Sequence, residues 1–243
     1  MRTIRYHGIA DELRMRVSSG AYAAGRVLPS ESEMSAEFGV SRVTIRKALE
    51  ILREEGLVDA RQGFGWFVAG KQVRQPLGRL ATIEDQMRDS GMQPERRILE
   101  FVFEKAPRDI ALVLATPHVL RVSRLNTADG EPFALVTVWC PADLAQHLSR
   151  ADVERSPFYE LLEVPLSGAS QTIGADAANT AEAELLHVPP GSPVLRCERI
   201  TSTTSGQVVL VSRHVFPGHR TEFVVDLPYA QPSIAPSGLR LVD

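Results

Sequence analysis

The sequence predicts two domains of different class: an N-terminal three-helix unit closed by a β-hairpin, and a C-terminal α+β domain built on a mainly antiparallel sheet. Three observations predict this. The 243-residue length suits two ordinary domains better than one. Within the first seventy residues, apolar positions recur at helical spacing and are punctuated by caps and glycines. Beyond residue 78 the texture changes to alternating apolar runs separated by turn dipeptides.

Ile9, Leu13 and Val17 recur every four positions and give the first helix one buried stripe, with Gly20 and Gly25 ending it. Ser30 opens the second helix, where Glu33 is placed to complete a capping box. Met34 and Phe38 form its apolar face, and Gly39 stops it. Ser41 caps the third helix; Ile45, Ala48, Leu49 and Leu52 make its stripe, and Gly56 ends it. Leu57–Ala60, a turn at 61–65 and Trp66–Val68 read as a hairpin. Residues 70–78 lose periodicity and read as a linker between domains at 1–69 and 79–243. In the second domain, strands are expected near 97–105, 118–128, 132–140, 169–177, 193–203, 207–216 and 222–227. Helices are expected near 82–90, 108–115, 156–163 and 179–186. Asp129-Gly130 and Ser205-Gly206 mark hairpin turns, and the resulting pattern is α+β.

The composition, 44% hydrophobic and 23% charged, is that of a globular chain. A net charge of −3 gives no bulk sign of nucleic-acid binding, so any such function rests on where the cations sit. Cys140 and Cys197 are too few for a disulfide framework or a four-ligand zinc site, and their apolar surroundings predict buried thiols. No run approaches the ~20 apolar residues needed to cross a bilayer, and no signal-peptide core follows Met1. A cytoplasmic protein is expected.

The third helix carries the chemistry. At 100° per residue, Arg42 and Arg46 share a face beside Val43 and Lys47, opposite the apolar stripe, and no acidic residue lies between Gly39 and Leu49. An arginine there can fork onto a guanine edge, while the Ser41 and Thr44 hydroxyls and the helix N-terminus can hold phosphates. A short helix, a tight turn and a cation-faced helix make a helix-turn-helix; the hairpin behind it is a wing whose turn offers Arg61, Gln62 and glycines for close approach to DNA. The competing reading of the spacing is a solvated basic face on an ordinary three-helix bundle.

Gly25-Arg-Val-Leu-Pro-Ser-Glu31, Phe38-Gly-Val-Ser-Arg-Val-Thr-Ile-Arg46, Ala48-Leu49, Glu55-Gly56-Leu57 and Gln62-Gly63-Phe-Gly65 together resemble the GntR family signature across residues 4–69. The resemblance implies a winged helix-turn-helix whose DNA contacts come from Arg42, Thr44, Arg46 and Gly65, with Ser30, Ser41, Lys47 and Gln62 as further candidates.

Residues 76–229 resemble the UTRA ligand-sensing domain of the HutC subfamily, with a chorismate-lyase-like fold, through Met87-Arg-Asp-Ser-Gly91, Arg124-Leu125, Ala128-Asp-Gly-Glu-Pro132, Phe158-Tyr-Glu-Leu-Leu162 and Gly191-Ser-Pro-Val-Leu195. By that resemblance Thr82 and Arg124 are effector candidates; Ser156 and Tyr159 one turn further on join them, although helix capping alone is the favoured role of Ser156. Where sugar-phosphate sensors of the family carry polar groups for sugar hydroxyls, this chain aligns Val136, Leu210 and Phe216. Leaving such hydroxyls unpaired costs about 1–3 kcal/mol each. The expected effector is therefore a small anion of the phosphate, phosphonate or carboxylate class, in the manner of PhnF-type members; a sugar phosphate is the alternative.

A lyase-type enzyme is the rival reading, but no nucleophile elbow, metal-ligand spacing or phosphate-binding loop is found, and His214 and His219 straddle a Pro217-Gly218 turn as surface or hydrogen-bonded residues. No catalytic residue, metal or cofactor is expected. The partners expected are double-stranded palindromic operator DNA, the anionic effector and a second copy of the chain, in a homodimeric repressor whose grip on DNA the effector modulates.

Overall fold

The computed structural model describes residues 5–225 apart from 20, 23–24, 62–64, 70–72, 78–81, 83, 85–86 and 89–90. The N-terminal domain packs α1 (Arg5–Ser18), α2 (Glu31–Phe38) and α3 (Arg42–Glu54) around Leu13, Met34, Ile45, Leu49 and Leu52. Ser30 caps α2 reciprocally: its Oγ accepts from Glu33 N at 3.2 Å, and its own N–H donates to the Glu33 carboxylate at 2.7 Å. The two bonds satisfy donors that the first turn leaves open. Gly39, left-handed at φ 61°, then turns the chain sharply into α3.

The wing is β1 (Val58–Arg61) paired antiparallel with β2 (Gly65–Val68). Residues 25–28 add backbone bonds along the outer side of β2, with Leu28 N to Trp66 O at 2.8 Å and Val68 N to Arg26 O at 2.9 Å. The hairpin is thus pinned to the segment that leads into α2.

The second domain is one six-stranded antiparallel sheet in the order β4-β5-β6-β9-β8-β7. The strands are β4 (Pro94–Lys105), β5 (His118–Ala128), β6 (Glu131–Pro141), β7 (Leu166–Ala177), β8 (Pro193–Thr203) and β9 (Val208–Pro217). Helices α4 (Arg108–Leu114), α5 (Ala142–Ala145), α6 (Arg150–Arg155), α7 (Phe158–Leu161) and α8 (Thr180–Leu186) pack on this sheet. The central β5, β6 and β9 are buried along most of their length, polar residues such as Arg124, Asn126, Ser212 and His214 included, whereas edge strand β4 alternates. Asp129 and Gly130 both take positive φ, 53° and 81°, as a two-residue hairpin turn matched to sheet twist requires.

Three expectations are corrected. The linker is not without regular structure: β3 (Val73–Pro76) runs parallel to β10 (Thr221–Val224), a strand shorter than the expected 222–227. A four-residue strand has too little length to show a period, and its partner lies far away in sequence. The expected helix at 156–163 is α7 alone, with Pro157 at its N-cap; Ser156 instead closes α6. Helices α5 and α6 themselves were not expected, being too short for periodicity. Of the two placements expected for His214 and His219, surface or hydrogen-bonded, both residues take the second: each is buried and makes a hydrogen bond.

Candidate functional site

Two surfaces carry the candidate residues. On α3, the exposed Arg42, Val43, Arg46 and Lys47 face away from the buried Ile45, Ala48, Leu49 and Leu52. Ser41 caps the helix, its Oγ accepting from Thr44 N at 3.3 Å and lying 2.8 Å from Thr44 Oγ1. Each arginine is held by α2: Arg42 Nη2 donates to Ser32 Oγ at 2.7 Å, and Arg46 forks onto Glu31 at 2.8 and 2.7 Å. Glu31 also accepts from the Trp66 indole at 3.1 Å, which ties recognition helix and wing to one carboxylate. The fork of Arg46 holds that carboxylate below its usual range despite partial burial. Lys47 Nζ lies 5.9 Å above the Tyr6 ring. Gly65, exposed with φ 83°, begins β2 beside the wing tip; Gln62 lies outside the described residues.

These side chains border a wide groove that is shared with Ser30, Gly65 and Trp66 and closed on the far side by Pro189 and Pro190 of the second domain. Both arginines are thus oriented by side chains of α2.

The second surface is a narrow cleft with an interior of about 40 Å³ on one face of the sheet, lined by Thr82, Arg124, Tyr159, Arg199, Ser212 and His214 among polar residues, with Val138, Phe158 and Leu210 as apolar wall. Arg124 is buried. Its Nη2 lies 4.0 Å from Glu84 Oε1, while Nε and Nη1 have no hydrogen-bond partner among the described residues. Burial, partly countered by Glu84, lowers its pKa to about 10. Glu84 pairs with Arg96 at 2.7 Å and accepts from Asn126 Nδ2 at 2.6 Å. Burial pushes the Glu84 pKa upward, but Arg124 and Arg96 outweigh it and the carboxylate stays charged. His214 Nε2 lies 3.0 Å from Ser212 Oγ, and burial, then the charges of Arg199 and Arg124, push its pKa down to about 3. The ring is a neutral hydrogen-bonding group in the physiological range.

Of the four residues expected here, Thr82, Arg124 and Tyr159 converge on the cleft. Ser156 does not line it; its carbonyl accepts from Arg96 Nη1 at 2.8 Å, and Pro157 forms the wall at that point. The cleft also includes Arg199, Ser212 and His214, which were not expected. On β8 and β9 they read only as polar members of alternating strands. The register placing Arg199 opposite Ser212 is a tertiary fact.

A cation-faced helix-turn-helix with a wing, joined to a sheet domain with a polar cleft, defines a DNA-binding transcription regulator with a sensing domain. The comparisons agree. Residues 5–68 match the bacterial regulatory proteins of the gntR family, and residues 89–222 match the UTRA domain. The chain is 30% identical to the HTH-type transcriptional repressor NagR of Bacillus subtilis over 90% of its length and 93% of that protein. It is also 30% identical to the histidine utilization repressor of Pseudomonas putida, covering 88% of each chain. The crystal structure of PhnF from Mycobacterium smegmatis superposes with a TM-score of 0.62 at 25% identity, over 91% of this chain and 99% of that one. The chain belongs to the gntR family, and within it to the HutC-type regulators that carry a UTRA domain. It is a transcriptional repressor, not an enzyme.

Proposed function

We propose that this repressor binds a palindromic operator as a homodimer and is released by a small anion of the phosphate, phosphonate or carboxylate class seated at Arg124. The proposed division of labour is DNA reading by residues 1–69, connection by 70–78, and sensing and dimerisation by 79–243. In this reading Arg42 and Arg46 leave Ser32 and Glu31 for base edges and phosphates, with Thr44, Ser41, Ser30, Lys47, Gln62 and Gly65 alongside.

The observation that carries the effector reading is the buried guanidinium of Arg124 with Nε and Nη1 unpartnered among the described residues, in a cleft that opens to Thr82 and Tyr159. Buried donors without acceptors are costly, and an oxyanion supplies two acceptors at once. A hydroxyl-rich sugar is disfavoured: Val136 and Phe216 are buried among apolar side chains, and Leu210 presents a hydrocarbon wall to the cleft.

The test uses the full-length chain on a duplex obtained by selection from random sequence, with release followed by fluorescence anisotropy. Inorganic phosphate, methylphosphonate and acetate are the probes, and glucose 6-phosphate represents the sugar phosphates. At least one of the three simple anions is expected to release the duplex, with Arg124→Gln raising the concentration needed by about tenfold or more. Release by glucose 6-phosphate alone, or an unchanged response of the variant, overturns the effector assignment.

A further inference from the structure

We infer that the sensing domain carries a latch, the loop 218–220, which docks the winged helix in a pose that shuts out the duplex. The inference rests on the reading that Arg42 and Arg46 face DNA, and it holds whatever the effector is. Each residue of this loop, between β9 and β10, engages the reader. Gly218 O accepts from Arg61 Nη1 at 2.7 Å. His219 Nε2 lies 2.9 Å from Gly25 O, and its ring lies 5.2 Å from that of Phe67. The Arg220 side chain lies over Gly25, where a Cβ would meet its Nε at 2.7 Å, and Pro132 O holds its Nη1 at 2.8 Å. The partners on the reader all belong to the wing or its outer side. Arg61 ends β1, Phe67 lies in β2, and Gly25 N donates to Val68 O at 2.9 Å. His219 and Arg220 are buried in this seam.

Two features of the docked pose bear on DNA. Arg61, a cation beside the wing turn, is committed to a carbonyl of the other domain. Docking also sets Pro189 and Pro190, which follow α8, across the groove that Ser30, Arg42, Arg46 and Gly65 border. A recognition helix enters a major groove about 12 Å wide and 8.5 Å deep, so phosphate walls must pass along both its flanks. On the flank facing Gly65 and Trp66 the docked pose leaves about 700 Å³. That is the size of a small-molecule pocket, not of a sugar-phosphate strand with the rest of the duplex behind it. Reading therefore requires the seam to open. Its described contacts are polar hydrogen bonds and one ring pair, the composition of a contact between domains that move. The apparent affinity for the operator is then the intrinsic affinity scaled by the undocked fraction, and weakening the latch tightens binding.

The test uses the full-length chain, without effector, and a duplex obtained by selection from random sequence. Hydroxyl-radical footprinting read by mass spectrometry follows the His219 side chain, which is 2% exposed. Saturating duplex is expected to raise its oxidation about threefold or more, because the pose that binds DNA has the seam open. Unchanged or slower oxidation overturns the inference. His219→Ala removes the bond to Gly25 and the ring contact, and is expected to raise duplex affinity about three- to tenfold in anisotropy titrations at fixed salt. Equal or weaker binding by that variant overturns the inference as well. Melting of the DNA-free variant checks its folding, and the footprint of the parent stands without it. If Arg42→Ala and Arg46→Ala both bind the duplex like the parent, the reading of α3 fails instead.

Discussion

His219 Nε2 lies 2.9 Å from the carbonyl oxygen of Gly25, joining the loop after β9 to the segment that enters the winged helix. A carbonyl only accepts, so Nε2 carries the proton. The same loop grips the reader twice more: Arg61 Nη1 donates to Gly218 O at 2.7 Å, and the His219 ring lies 5.2 Å from that of Phe67. His214 on the cleft floor belongs to the strand that ends in this loop. Cleft and wing are thus connected along one short piece of chain, a short path for coupling between them.

Gly25 has no room for a side chain. A Cβ there meets Arg220 Nε at 2.7 Å and Cζ at 3.0 Å, and the residue sits at φ 80°. Arg220 cannot swing aside without losing its bond to Pro132 O at 2.8 Å. Gly25→Ala is expected to lower the unfolding free energy by about 1–3 kcal/mol through backbone strain and this collision. Urea denaturation measures it; a midpoint equal to that of the parent would show that the contact is not maintained in solution.

Stability should fall as the solution is acidified below neutrality. Burial drives the folded pKa of His214 down to about 3 and that of His219 to about 4, against 6.5 for a free imidazole. The unfolded chain therefore binds protons first. The contribution of the two rings is fully present above pH 6.5 and is lost progressively toward pH 3–4. The limiting slope is about 2.7 kcal/mol per pH unit for two protons. Arg46 holds Glu31, and Arg124 and Arg96 hold Glu84, below the ordinary value of 4.5. Urea unfolding from pH 7 to 5 should show the decline, and the His214→Gln/His219→Gln double variant should flatten it. An equally steep decline in that variant would assign the effect elsewhere.

In the proposed reading, Glu31 competes with DNA for Arg46. Because it holds the guanidinium at 2.8 and 2.7 Å in the free protein, Glu31→Gln is expected to strengthen duplex binding severalfold by removing both the competing fork and a negative charge near phosphates. Arg46→Ala and Arg42→Ala should each weaken binding about tenfold or more. Anisotropy titrations at fixed salt measure all three, and affinity reduced by Glu31→Gln would mean that the pair positions Arg46 rather than restrains it.

The two thiols should be silent in the native protein. Burial pushes Cys140 and Cys197 up to about 12, leaving almost no thiolate near neutral pH. Ellman's reagent at pH 8 is expected to titrate both only after denaturant is added. Rapid reaction of the native chain would contradict their burial.

The sequence alone determined the local devices. Ser30 with Glu33, Ser41 before Thr44, the left-handed Gly39 and the Asp129-Gly130 turn follow from chemistry within a few residues. So does the division of α3 into an apolar stripe and a cationic face, since 3.6-residue periodicity writes that division into the chain. Tertiary structure alone decided the meeting of Arg124 with Arg199, Ser212 and His214, the pairing of β3 with β10, and the grip of His219 on Gly25. Each joins residues far apart in sequence, where strand register and burial, not spacing, choose the neighbour. A lone arginine or histidine in an alternating strand carries no mark of the face it will share.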